Sequence, residues 1–284
     1  KRFPDGKSLD EANIDDVLLY GKGLGYYSRA INLHTAAKQV MTDFGGVFPS
    51  TFDEILKLKG VGKYTAAAVA SICFDEKIPA IDGNFYRVLS RIFADDFDVS
   101  SPKAYHYFYN LALMIMPEEN HGDFNQAIMD IGSEVCKPKN PNCEICPVQE
   151  NCLAFELGKV QNFPVKSKKV KPQDLKLKYY HIIYKEHFLI KQRDDSFIWK
   201  KLYDFPEEIP NEFEPFITEE KIVKHKLTHK NLEINIAKVS IDDKAIFEGF
   251  ARENQFIITN FEKSHQKSFP KPLENFLKKD FEQL

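Results

Sequence analysis

The sequence predicts two domains of different class, a helical one followed by a smaller mixed α/β one. Three observations predict it. Apolar residues in the first half recur at spacings near 3.6, as in Leu33, Ala36, Ala37, Val40, Met41 and again in Leu111, Met114, Ile115. From Lys159 to Lys178 the composition shifts to seven lysines, two prolines and one acid, Asp174, a polar, extended linker. Beyond it the runs are strand-like, and Leu232, Ile234 and Ile236 alternate with Glu233 and Asn235 at period two. The expected boundaries are 1–156 for the helical domain, 157–178 for the linker and 179–284 for the α/β domain.

Composition narrows the class. Over 284 residues, 43% hydrophobic and 29% charged is an ordinary globular balance, which excludes disordered, collagenous and coiled-coil chains. The apolar runs fall short of the roughly 20 residues that cross a bilayer, so no membrane association is expected. Net charge is −3 overall, but residues 1–156 carry 15 Lys/Arg against 22 Asp/Glu, and 157–284 carry 24 against 20. An acidic first domain must present local positive potential if it meets phosphate.

Along the chain, the segment Leu58-Lys59-Gly60-Val61-Gly62-Lys63-Tyr64-Thr65-Ala66 lies between two helical patterns. Gly60 and Gly62 permit a sharp turn and let backbone N–H groups approach a ligand. The next helix then offers its N-terminus to an anion, with Lys63 adding a charge. A helix-hairpin-helix holds a DNA phosphate in this way without reading sequence; a plain connection between helices is the alternative. Val69, Ile72 and Cys73 follow at helical spacing, and Cys73 is read as a core residue. Asp82 ends an apolar stretch and opens a helix, which makes it an N-cap and a candidate functional carboxylate. Further on, Cys136, Cys143, Cys146 and Cys152 form C-x6-C-x2-C-x5-C. Four thiolates suit zinc or an iron–sulfur cluster. The single CxxC pair and the wide, unequal gaps favour a [4Fe–4S] cluster. After the linker, Tyr179–Tyr184, Phe188–Ile190, Leu232–Val239 and Phe256–Thr259 read as strands, and Leu273–Phe281 as a closing helix.

Taken together these motifs resemble the MutY-type adenine DNA glycosylases of the endonuclease III helix-hairpin-helix superfamily. The matching residues are Gly23-Leu24-Gly25-Tyr26-Tyr27-Ser28-Arg29-Ala30, the Gly60–Ala66 block, Asp82-Gly83-Asn84, Phe124-Asn125-Gln126-Ala127-Ile128-Met129-Asp130 and the four cysteines. Trp199-x-x-Leu202-Tyr203-x-Phe205-Pro206 resembles the family's MutT-related domain. The resemblance implies an all-α glycosylase domain with an iron–sulfur loop, then an α/β MutT-like (Nudix-like) domain. It implies removal of adenine opposite 8-oxoguanine, or guanine, from double-stranded DNA by a monomeric, cytoplasmic, DNA-associated bacterial enzyme. The flipped adenine would enter a pocket in the helical domain. Asp82 would stabilise the cation that forms on the sugar, with Tyr64 and Asn84 holding the site. Bifunctional relatives carry lysine at the Tyr64 position, so a monofunctional enzyme without Schiff-base strand cleavage is expected. Gly60, Gly62, Lys63 and the wedging Tyr26 would hold DNA. Thr228 and His229, in a segment usually ending Phe-Ser-His, would contact the oxidised guanine.

Two departures qualify the resemblance. The family's catalytic glutamate lies in a Trp-x-Ser-Glu-x-Met-Leu-Gln-Gln-Thr helix upstream of Gly23, and these residues hold no such motif. That glutamate is the general acid for the leaving adenine, so Lys1 is expected to lie inside the native sequence, with impaired activity and an exposed apolar face. Gly21 stands where relatives usually have Trp. The competing readings are an endonuclease III-type glycosylase/lyase and a non-catalytic lesion-binding module.

Overall fold

A computed structural model describes residues 2–21, 27–167, 172–194, 198–227 and 229–281. The chain divides into two compact units, Thr35–Lys169 and the pair of segments Lys1–His34 with Val170–Leu284.

The first of these units is helical. In chain order it holds most of α3 (Tyr27–Asp43), α4 (Phe52–Ile55), α5 (Lys63–Phe74), α6 (Gly83–Ile92), α7 (Ala104–Ile115), α8 (His121–Asp130), a π-turn (Ile131–Val135) and α9 (Leu153–Glu156). Its core gathers Ala66, Ala67 and Ala70 of α5, Phe85, Val88 and Leu89 of α6, Phe108 and Ala112 of α7, and Ile128 of α8. The alanine face of α5 lets α8 come close. A Cβ on Gly122 would lie 2.8 Å from Ile72 Cα and 2.9 Å from the Ser71 carbonyl oxygen. Because α5 buries that small-residue face, Ile72, Cys73 and Phe74 fall on the other side and are exposed. The expectation of a core Cys73 is therefore corrected. Met114 is also exposed on α7.

The second unit is built on a sheet. Its strands are β1 (Gln173–Tyr184), β2 (His187–Gln192), β3 (Tyr203–Asp204), β4 (Ile217–Lys226), β5 (Lys230–Ser240) and β6 (Ile257–Asn260), with α10 (Lys244–Glu253), α11 (Phe261–Ser264) and α12 (Lys271–Phe281). The order is β3-β2-β1-β5-β4, and β6 also pairs with β2. β1 and β5 run parallel, from Gln173↔Lys230 to Ile183↔Ser240, and the other pairs are antiparallel. The period-two pattern buries both faces. Tyr179, Phe188, Ile190, Leu232, Ile234 and Ile236 pack with Leu273, Phe276 and Leu277 of α12. Ile182, Leu189 and Val239 pack with Phe247 and Ala251 of α10.

The boundaries differ from the sequence-based ones at both ends of the helical unit. Helices α1 (Gly6–Asp10) and α2 (Ile14–Tyr20) group with the sheet. Leu18 and Tyr27 pack on Leu202, and Tyr27 Oη donates to the Phe269 carbonyl at 3.2 Å. Asp15 accepts from Gln192 at 3.0 Å and from Tyr203 Oη at 3.0 Å. At the other end the expected linker of 157–178 is shorter. Val99 N–H donates to the Val165 carbonyl at 3.0 Å, Asp98 accepts from both the amide and the hydroxyl of Ser167, and β1 begins at Gln173.

Candidate active site

Asp82 caps α6, as its position in the sequence predicts. Its Oδ1 accepts from the Asn84 amide at 2.8 Å and the Phe85 amide at 2.9 Å. These are two of the orphan donors of the helix N-terminus, where a negative charge is favoured. Its Oδ2 accepts from Asn84 Nδ2 at 3.0 Å. The carboxylate is therefore fixed by three donors and needs no cation to hold it.

Asn84 is held in turn. Its Oδ1 accepts from Arg87 Nη2 at 2.7 Å, and the same nitrogen donates to the Gly132 carbonyl at 2.6 Å. Arg87 Nε donates to the Cys136 carbonyl at 2.7 Å. One turn further along the same face of α6, the buried Arg91 lies 3.2 Å from Cys136 Sγ through Nη1, which also donates to the Lys137 carbonyl at 2.8 Å. Its Nε donates to the Val160 and Phe163 carbonyls, each at 3.1 Å. A chain of hydrogen bonds thus runs from Asp82 through Asn84 and Arg87 to the first cysteine of the motif. Sequence reasoning missed both arginines. Gly132 makes room for this chain, because a Cβ there would lie 2.6 Å from Asn84 Cβ.

The four cysteines line one cavity together with Val88, Ile92 and Phe155. Burial first, then the neighbouring sulfurs, raise the Cys143 thiol above its ordinary range, and burial raises Cys146. Four thiolates there need a compensating cationic centre. Among the described residues no group of three His, Cys, Asp or Glu side chains is placed to hold a single metal ion. The chemistry of the donor set, four cysteine sulfurs lining one cavity, suits an iron–sulfur cluster.

Gly60 takes φ +77° in the hairpin, and Gly62 starts α5 with no side-chain cap. The first amides of α5 are thus left for an external acceptor. The turn is braced by Gln39, whose Oε1 accepts from the Lys59 amide at 2.6 Å. Lys63 Nζ sits 4.4 Å above the Tyr105 ring, a cation–π contact. Tyr64 Oη donates to Met129 Sδ at 3.0 Å. Burial, then the charge of Asp82, raises the Tyr64 and Tyr86 phenols, so both rings lie within electrostatic reach of that carboxylate.

The helical unit carries Gly60, Gly62, Lys63, Tyr64, Asp82, Asn84 and the four cysteines, and it links Asp82 to Asn84, to Tyr64 and, through Arg87, to Cys136. His229 belongs to the sheet unit, exposed in the turn between β4 and β5, with its carbonyl accepting from the Gln173 amide at 3.0 Å. Tyr26 and Thr228 lie outside the described residues.

Comparison with known proteins gives this arrangement its class. Residues 43–72 match the helix-hairpin-helix motif, and residues 136–152 match the iron-sulfur binding domain of endonuclease III. A solved structure of a thermostable thymine-DNA glycosylase superposes with a TM-score of 0.50 at 30% identity, covering 55% of this chain and 72% of that one. The fold is that of a helix-hairpin-helix DNA glycosylase with an iron–sulfur cluster, and residues 136–152, the stretch matched to the iron-sulfur binding domain, contain all four cysteines of the motif. Among relatives, the adenine DNA glycosylase of Buchnera aphidicola from Acyrthosiphon pisum is 34% identical over 98% of this chain and 83% of its own length. That of Buchnera aphidicola from Schizaphis graminum is 37% identical over 72% of this chain, which spans 59% of that relative. The chain belongs to the adenine DNA glycosylase family.

Proposed function

We propose that the protein excises adenine mispaired with 8-oxoguanine, or guanine, from double-stranded DNA by hydrolysing the N-glycosidic bond. The observation that carries this is the Asp82 carboxylate, fixed by two amides and Asn84 at the start of α6 with Tyr64 in reach. Cleavage builds positive charge on the deoxyribose, and a preorganised carboxylate stabilises that charge without having to reorganise. The hairpin amides around Gly60 and Gly62 hold a backbone phosphate and so fix the register of the duplex. Tyr64 stands at the start of α5 where a lyase carries its amine, and Lys63 is drawn onto Tyr105. Both support a monofunctional hydrolase.

The [4Fe–4S] cluster, when bound, holds its four thiolates in one fixed arrangement. Arg91 then ties that loop to α6, and Arg87 carries the placement on to Asn84. We assign lesion recognition to a MutT-like sheet unit, with His229 and Thr228 on the oxidised guanine and Tyr26 wedged into the base stack. The protein acts as a monomer, in the cytoplasm on bacterial DNA. Among the described residues no helix is long and apolar enough to cross a membrane. The glutamate motif that serves the family as general acid for the leaving adenine is not among these 284 residues, so excision by these residues alone is slow.

The test is a single-turnover assay on duplex DNA with adenine opposite 8-oxoguanine, followed by alkali to reveal abasic sites. It compares this chain, the natural full-length protein and its Asp82→Asn variant. Abasic sites from the full-length protein, lost in Asp82→Asn, establish the activity. Lesion binding with no excision by either protein sinks it and leaves a binding module. Strand cleavage without alkali refutes the monofunctional reading.

A further inference from the structure

The side-chain hydrogen bonds of Asp82 go to Asn84 and Phe85, while the segment Phe124–Asp130 belongs to the motifs that carry the family resemblance. Its place in the fold gives it a task. Asn125, Met129 and Gly132 follow one another at i, i+4 and i+7, a single stripe of α8 and the π-turn after it. Each faces a different part of the Asp82 surroundings. Asn125 is fully buried, and all its side-chain polar atoms are engaged. Its Oδ1 accepts from the Ala80 amide at 3.0 Å. Its Nδ2 donates to the Ile78 carbonyl at 2.9 Å and to Ser71 Oγ at 2.8 Å. The side chain thus takes the part of a neighbouring strand for Ile78–Ala80, the stretch that delivers the chain to Asp82. Met129 Sδ accepts from Tyr64 Oη at 3.0 Å. Gly132 backs Asn84. The close approach of α8 to α5 at Gly122 sets how deep the stripe sits.

We infer that Asn125 and Met129 are positioning residues, Asn125 for the Asp82 carboxylate and Met129 for the Tyr64 phenol. The inference rests on the reading of Asp82 as the group that stabilises the sugar cation. Asn125 acts on the backbone two residues ahead of Asp82, so its loss lets the carboxylate drift while the hairpin that holds phosphate is untouched. Met129 supplies the acceptor that fixes the phenol direction, and leucine fills the same space without accepting.

A measurement that needs no leaving-group acid separates these roles. Two duplexes with 8-oxoguanine in the opposite strand carry, at the adenine position, either a protonated pyrrolidine or a neutral tetrahydrofuran. The ratio of their Kd values reads how well the carboxylate meets a cation at the sugar, and the neutral duplex reads DNA binding alone. The wild-type chain should favour the pyrrolidine, and Asp82→Asn should bring the ratio to about one. Asn125→Ala should cut the ratio about tenfold, one well-made hydrogen bond's worth, and Met129→Leu about threefold. Both should leave the neutral Kd unchanged. Gln126→Ala, which removes an exposed bond from Gln126 to Asp130 on another face of α8, should change neither.

Visible absorption of the cluster reports folding in every variant. Should Asn125→Ala lose it, Met129→Leu, which conserves volume, carries the test. A wild-type ratio of one, or an unchanged ratio in Asp82→Asn, refutes the functional reading itself. A ratio that collapses in Asp82→Asn but stays at the wild-type value in Met129→Leu and in folded Asn125→Ala overturns this inference alone.

Discussion

Gly132→Ala should disable the site without touching a catalytic group. An added Cβ would stand 2.6 Å from Asn84 Cβ and 3.0 Å from its Cγ and Oδ1. Carbon atoms rest at about 3.5–4.0 Å, so something must move by roughly 1 Å. The backbone of Gly132 is not in the left-handed region, and alanine favours helix over glycine by about 1 kcal/mol. Any loss therefore comes from the contact. Overpacking of this kind costs about 1–3 kcal/mol. A 1 Å shift of Asn84 would also stretch its bonds to Asp82 and Arg87, now 3.0 and 2.7 Å, past hydrogen-bond range. Misplacement on that scale costs about 100-fold in rate. The assay is single-turnover excision by the full-length protein, with urea unfolding of the same samples. A second substitution sharpens it. Asn84→Ala removes the Cγ and Oδ1 contacts but keeps the Cβ contact, so it should rescue little of the Gly132→Ala stability loss. Asn84→Gly removes all three and should rescue most of it, a coupling of about 1–3 kcal/mol. Additive losses in the Gly132→Ala/Asn84→Gly pair, or normal excision by Gly132→Ala, would refute the reasoning.

Three further outcomes are expected. Arg91→Ala removes the buried guanidinium that donates to the Lys137, Val160 and Phe163 carbonyls, at about 0.5–1.5 kcal/mol for each bond lost, so iron content and visible absorption should fall; full iron occupancy would contradict this. Gly122→Ala drives a Cβ into the backbone of α5 and should destabilise by about 1–3 kcal/mol, read as a lower urea midpoint; an unchanged midpoint would show that α5 and α8 separate at little cost. His181→Phe should make the protein less acid-sensitive. His181 is fully buried among Phe188, Phe205 and Phe276, neither ring nitrogen has a hydrogen-bond partner among the described residues although Asp280 Oδ2 lies 3.6 Å from Nδ1, and burial, then the Lys238 charge, pushes its pKa down to about 3. The unfolded chain takes up a proton below about pH 6.5 and the folded one does not, so this group costs stability progressively as pH falls from 6.5 toward 3, by up to about 1.4 kcal/mol per pH unit. Asp204, raised to about 6 by burial against the opposing Arg193, acts with the opposite sign, its contribution being lost as pH rises through 6. The quantity to measure is therefore the difference between His181→Phe and wild type, which should grow from pH 7 to pH 4.5; a constant difference would reject it.

The sequence made legible whatever is local. Asp82 as an N-cap needed only an apolar run ending in aspartate, and β5 needed only its alternation from Leu232 to Val239. The cysteine spacing pointed to a metal-binding loop and favoured a cluster over zinc. Arg87 and Arg91 were not legible, because charged residues four apart on a helix ordinarily mark a solvated face. Here their acceptors are backbone carbonyls 45 to 72 residues further along, and carbonyls leave no trace in sequence. Gly132 and Asn125 were hidden for the same reason, since their partners are set by how α8 crosses α5 and α6. Cys73 misled because helical periodicity says that a face is buried without saying which, and alanines claimed it. The grouping of residues 1–34 with the sheet had no pattern at all, since Asp15 meets Tyr203 across 188 positions.

That last grouping has a bearing on the order of events during synthesis. The helical unit is one continuous stretch, Thr35–Lys169, and can close as soon as its last residues leave the ribosome. The sheet unit is split, with Lys1–His34 made first and Val170–Leu284 last. Its opening segment must wait through the synthesis of the entire helical unit before Leu202 arrives for Leu18 and Tyr27. Its core stays open until α12 brings Leu273, Phe276 and Leu277. The helical stretch with its cluster loop has thus left the ribosome before any strand of the sheet is made.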